Sequence, residues 1–212
     1  MYVPPHFQMA DRRAAVEFVR RHSFALLVTS DNGEPVASHV PLLFDESASE
    51  YGMLRGHLAR ANPHADLLDG RRALAVFSGP HAYISPRWYQ ADNTVPTWNY
   101  AAVHAYGTCE LITDERELIR LLADLTAVYE AGMPKPWTFD ADSEFIRKLA
   151  KAVVGFRIPI DRLDAKAKLN QNHPAERRQR VIRELEQSSD ADARAIAQLM
   201  ISNSERGTRN AE

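Results

Sequence analysis

Three short stretches carry side chains able to do chemistry. In GHLARANP (56–63), His57, Arg60 and Asn62 precede Pro63, where a short helix can start with Asn62 as its cap. A cation, an imidazole and the open amides of a helix start can together hold a phosphate; the plainer reading is a solvated loop with a cap. KLNQNHP (168–174) repeats the pattern, with Lys168, Asn170, Gln171 and Asn172 before Pro174. Those amides suit either the polar edge of a ligand or a cap and loop. VPTWNYAAVHAYG (95–107) alternates like a strand yet opens on Trp98, Asn99 and Tyr100, which fits ordinary packing or a flat, partly polar ligand lying against it.

Other chemistries lack their residues. There is no GxGxxG, Walker loop, HExxH or GxSxG; Ser85 sits in HAYISPRWY without a glycine elbow, which argues against a serine hydrolase. Cys109 is the single cysteine, so neither an internal disulfide nor a multi-cysteine zinc site can form, and it reads as a small core residue. The eight histidines show no metal-binding spacing, and no metal is expected. His104, at an alternating strand position, reads as a satisfied packing residue.

The elements that must position these residues follow from periodicity. Ala15, Val16, Phe18 and Val19 mark a helix within 11–22. FALLVTS (24–30) and PVASHVPLLF (35–44) flank Asn32-Gly33, a hairpin turn whose central residues need positive φ. Strands are expected at 51–58, 73–79 and 97–112, with a long loop over 79–97 that holds Pro80, Pro86 and Pro96. Leu118, Leu121, Leu122, Leu125 and Val128 form one helix face, with Gly132 as its stop. A further helix is expected at 143–154. Alternation returns at 155–170, where Pro159 argues for an edge or a bulge. Two helices near 174–187 and 190–202 precede a polar tail. Strands with hairpin signals and no regular strand–helix alternation predict an antiparallel barrel decorated by helices.

Bulk composition is that of a soluble globular chain: 212 residues, 45% hydrophobic and 25% charged. A net charge of -2 gives no electrostatic reason to expect nucleic acid or an anionic membrane as partner. No apolar run approaches the ~20 residues needed to cross a bilayer, and MYVPPHFQMADRR has no signal-peptide core, so the expectation is a cytoplasmic protein.

LRGHLARANP, GPHAYISPRWY, VPTWNYAAVHAYG and KLNQN, in this order behind MYVPPHF, make the chain resemble the PaiB-type family of FMN-binding split-barrel proteins. The resemblance runs from Met1 to about the helix after Pro174. It implies a mainly β fold with helices (α+β), an antiparallel split β-barrel of the FMN-binding, pyridoxamine-phosphate-oxidase-like type with added C-terminal helices. It also implies a homodimer with flavin at the subunit interface and a role as a negative transcriptional regulator. One split-barrel domain with its helical extension would then occupy 1–201, and 202–212 would be a disordered polar tail.

By the same resemblance, Ser38, His39, Val40 and Pro41 border the flavin edge, and His57, Arg60 and Asn62 grip the phosphate. Trp98, Asn99 and Tyr100 approach the ring from the dimer partner, and Lys168 and Gln171 serve as further cofactor contacts. Ala61-Asn62 follows Arg60 where the oxidases carry paired basic residues. Two other functions compete: a flavin-dependent oxidoreductase, and a haem-binding relative with His57, His104 or His173 as ligand. DNA binding has one hint, two helices with a short joint over 176–200 that carry Arg177, Arg178, Arg180 and Arg183 on the first.

Overall fold

Phe24–Asp31 (β1) and Glu34–Pro41 (β2) form the hairpin that Asn32-Gly33 predicts, with Phe24 opposite Pro41 and Asp31 opposite Glu34. Asn32 at φ 49° and Gly33 at φ 90° turn the chain in the left-handed region. The computed structural model describes residues 1–9, 11–46 and 50–209, with no side-chain description for 205–209. The first helix, Arg12–Arg21 (α1), buries Ala15, Val16, Phe18 and Val19, as its spacing predicts.

The remaining strands are Leu43–Asp45 (β3), Met53–Ala59 (β4), Arg72–Ile84 (β5), Thr97–Thr108 (β6), Glu110–Ile112 (β7) and Val153–Lys168 (β8). They form an eight-stranded sheet in the order β2-β1-β5-β6-β8-β4-β3, with β7 paired to β8. The assigned pairs are antiparallel, and β2 and β3 end the order without pairing to each other, so the barrel is split and not closed.

Three details differ from the sequence expectation. β5 does not stop at Gly79 but runs through Pro80 to Ile84, which reduces the expected 79–97 loop to residues 85–96 around a 3-10 turn at Pro86–Tyr89. Buried positions shift from Ala73, Ala75 and Phe77 to Ala82 and Ile84, so Gly79-Pro80 changes the strand's buried face and conceals its continuity from a period-two reading. The strand expected over 97–112 breaks at Cys109, whose N–H donates to Arg71 O and whose carbonyl accepts from Gly70 N–H, both at 2.9 Å. Pro159 is not on an edge strand: β8 lies between β6 and β4, and Pro159 sits opposite Met53 at the last rung of the β4 ladder.

The chain divides into two compact units. One comprises 19–77 and 104–163. Here Glu115–Glu130 (α2), whose first turn Asp114 caps through a 2.8 Å bond from Glu117 N–H, buries Leu118, Leu121 and Leu125 with Leu43, Ile112 and Ala150. Glu144–Ala150 (α3) follows. The other unit comprises 1–18, 78–103 and 164–212. In it Ala175–Glu186 (α4) and Ala191–Arg209 (α5) bury Val181, Ile182, Leu185, Ile196 and Met200 around Ile84, Tyr89 and Leu169. The tail expected from 202 onward is helical through Arg209; residues 210–212 lie outside the described residues.

Candidate functional site

In the unit formed by 19–77 and 104–163, β4 leads into a 3-10 turn at Pro63–Leu67 that Asn62 caps, its Oδ1 accepting from His64 N–H at 3.0 Å. The same asparagine donates through Nδ2 to Ser38 Oγ on β2 at 3.2 Å. His64, 2% exposed, closes the network: Nδ1 lies 2.9 Å from Ser38 Oγ, and Nε2 lies 2.9 Å from Thr29 Oγ1 on β1. Burial lowers the His64 pKa below its ordinary 6.5, which favours the neutral ring. Among the described residues no carboxylate orients this imidazole, whose two nitrogens both meet hydroxyls, so the Ser38–His64 contact is a polar anchor and not an activated nucleophile.

His57, near the end of β4, has a buried Nδ1 with no hydrogen-bond partner among the described residues, and burial lowers its pKa as well. Arg60 donates from Nε to Lys151 O at 2.8 Å and from Nη2 to Val153 O at 3.0 Å, which fixes the plane of its guanidinium at the edge of a cleft of about 360 Å³. On β2, Val40 is buried, while His39 is exposed and stacks on Phe24 with centroids 5.9 Å apart. Pro41 ends the strand. The structure thus joins Ser38 to Asn62 through His64, and gives Arg60 a separate backbone dock.

The other compact unit holds the remaining sequence-predicted residues. Trp98 is 52% exposed and meets the rings of Tyr83 at 5.9 Å and His81 at 6.0 Å. Tyr100 lies under Lys166 Nζ, 5.1 Å from its ring centroid. Strand alternation sends Asn99 to the opposite face, where it is fully buried, its Nδ2 3.6 Å from Met200 Sδ and its Oδ1 without a partner. Lys168 donates to the Thr97 hydroxyl, and burial lowers its pKa. Gln171 folds back on its own turn: Oε1 accepts from Leu169 N–H at 2.7 Å and Nε2 donates to Ala167 O, while Asn170 stands at φ 60°.

His64 is the residue that sequence reading missed. Its partners lie 35 and 26 positions away in the chain, so no local spacing announces it.

The antiparallel, unclosed sheet defines the class, a split barrel, and comparison supplies the family. The family described as "Putative FMN-binding domain" matches residues 1–162. The chain is 35% identical over 202 residues to "Protease synthase and sporulation protein PAI 2" of Bacillus subtilis, an alignment that covers 94% of this chain and 96% of that protein. The chain therefore belongs to this FMN-binding family, PaiB type. Among solved structures, the FAD and haem binding protein from Mycobacterium smegmatis aligns with a TM-score of 0.62 at 17% identity, covering 81% of this chain and 78% of that one. The flavocytochrome Anf3 from Azotobacter vinelandii aligns with a TM-score of 0.57 at 16% identity, covering 78% and 72%. At those identities the likeness shows the fold.

Proposed function

We propose that this protein is a homodimeric flavoprotein that binds FMN at the corner where β4 runs into the Asn62-capped turn, and that it works as a regulator of the PaiB type. The observation that carries the flavin reading is the buried His57 Nδ1 with no partner, on the strand that leads directly to Arg60 and Asn62. A buried ring nitrogen left without a hydrogen bond is costly, and a polar ligand group supplies one. Arg60 suits the phosphate because its two backbone bonds hold the guanidinium still while Nη1 remains to donate. His64 holds Ser38 and Asn62 in place, and Ser38, His39, Val40 and Pro41 offer backbone groups to the flavin edge. These residues fit FMN, which when bound would supply one- or two-electron redox chemistry.

Dimerisation is supported by the exposed rings of Trp98 and Tyr83, which a second copy would cover. In this reading Trp98 and Tyr100 border the flavin held by that second copy, whereas buried Asn99 supports the strand from behind. Lys168 is the remaining cationic candidate, and Gln171 acts through the turn it closes. The regulatory role draws on the resemblance to the PaiB-type family and on the relative named "Protease synthase and sporulation protein PAI 2", nearly all of whose length the chain matches. It need not involve DNA contact: Arg180, in the middle of α4, is committed to Tyr89 O and Glu176. The single, buried and unpaired Cys109 agrees with a reducing, cytoplasmic setting.

An absorption spectrum of the purified protein, before and after FMN is added and excess removed, tests the reading. A retained flavin band supports it. A Soret band would favour the haem alternative, and no retained chromophore would remove the flavin assignment.

A further inference from the structure

The unit that contains α4 and α5 has a cleft that shares only Lys168 with the flavin reading. Its volume is about 340 Å³, within the range of small-molecule sites, and Phe7, Tyr89, Thr97, Lys168, His173 and Arg177 are among its walls. These residues come from three separate stretches of the chain, 6–7, 89–97 and 168–177, with His173 just before α4 and Arg177 within its first turn.

The charge pattern is unbalanced. Lys168 and Arg177 both line the cleft, and among the described residues no carboxylate does. Lys168 meets a hydroxyl, that of Thr97, and its ammonium lies 6.0 Å from the Phe7 ring. Lys166, two residues earlier on β8 and 7% exposed, donates to Tyr2 O and lies over the rings of Tyr2 and Tyr100. Burial lowers the Lys168 pKa, and the positive charge of Lys166 adds to that in smaller part.

The walls are also flat. His173 stacks on Tyr89 with centroids 4.7 Å apart and planes at 19°, and Asn170 fixes the Tyr89 phenol by a 3.0 Å hydrogen bond. We infer that this cleft is a binding site for a small organic anion with a planar body, its carboxylate or phosphate held by Lys168 and Arg177 and its ring set among Phe7, Tyr89 and His173. Ser38, His57, Arg60, Asn62 and His64, the residues of the flavin corner, are not among the described residues that line this cleft.

Benzoate, inorganic phosphate and benzyl alcohol separate the contributions of charge and ring. Each is titrated into the full chain while the imidazole resonances of His173 are followed by NMR. Benzoate should bind saturably and shift His173, and Arg177→Gln and Lys168→Met should each weaken it about tenfold to a hundredfold, the loss of one charge-assisted bond. Arg177→Gln changes a partly exposed helical position and keeps the fold available should Lys168→Met lose it. Benzyl alcohol should bind more weakly than benzoate. Absence of saturable benzoate binding, or binding indifferent to both substitutions, would overturn the site. Phosphate binding as tightly as benzoate would overturn the planar body. FMN displacing benzoate competitively would assign the cleft to flavin and end the claim of a second site, whereas independent FMN and benzoate binding supports it.

Discussion

His64 joins Thr29 to Ser38 through its two ring nitrogens, an arrangement suited to a neutral imidazole with one donor and one acceptor. Protonation would make both nitrogens donors and place a charge at a site 2% exposed. Burial lowers the pKa of His64 and of His57, and burial together with the nearby Arg177 lowers that of His173. Each group binds its proton more readily in the unfolded chain, at about the ordinary 6.5. Stability from these residues is therefore complete above 6.5 and is lost as pH falls below 6.5 through the folded-state values. Urea midpoints measured at about pH 7.5 and about pH 5.5 should show the lower stability at the acid end, and His64→Gln should flatten the slope. A wild-type midpoint that rises on acidification would contradict this account of the buried rings.

Two glycines show what elements ask of single positions. At Gly33, in the β1–β2 turn, an added Cβ meets nothing within 4 Å, so Gly33→Ala costs only the left-handed backbone at φ 90°, about 1–2 kcal/mol. At Gly107, on β6, the same atom would lie 2.1 Å from Pro159 O and 2.6 Å from an Ile158 methyl. Neither neighbour is a flexible side-chain end, so Gly107→Ala should cost more than Gly33→Ala, and about 1–3 kcal/mol or beyond. Urea denaturation of both variants checks the order, and a milder Gly107→Ala would be the contrary result. The first of these glycines was legible in the sequence, because Asn-Gly announces its own turn; the second was not, because its neighbour lies about fifty positions away. The same division holds across the chain. Asn62's cap, the α2 face and the β1–β2 hairpin depend on local spacing and were readable. The continuation of β5 past Gly79-Pro80, the break at Cys109 and the interior position of Pro159 depend on partners distant in sequence. In the Ser38–His64–Asn62 network, Asn62 was legible as a cap and Ser38 was singled out by resemblance, whereas His64 was missed; Asn99 was grouped with Trp98 and Tyr100 although period two already puts it on the other face.

At the scale of the whole molecule, membership of the FMN-binding family and the split sheet set the frame, and the assembly is the next question. Trp98 and Tyr83 expose 52% and 48% of their surface, so a second copy that covers them should make the protein a dimer at micromolar concentration. Sedimentation velocity checks this, and Trp98→Ala should shift the population toward monomer; a wild-type monomer in the presence of FMN would count against the dimeric reading. The central claim is that the β4 corner holds FMN by its phosphate. Parallel titrations of FMN and riboflavin, against the wild type and Arg60→Ala, address it most directly. FMN should bind the wild type more tightly than riboflavin does, and Arg60→Ala should weaken FMN about tenfold to a hundredfold, as loss of a charge-assisted bond requires. Riboflavin, which lacks the phosphate, should be nearly indifferent to the substitution. FMN that binds no better than riboflavin, or that is unaffected by Arg60→Ala, would contradict the phosphate grip and point to Lys168.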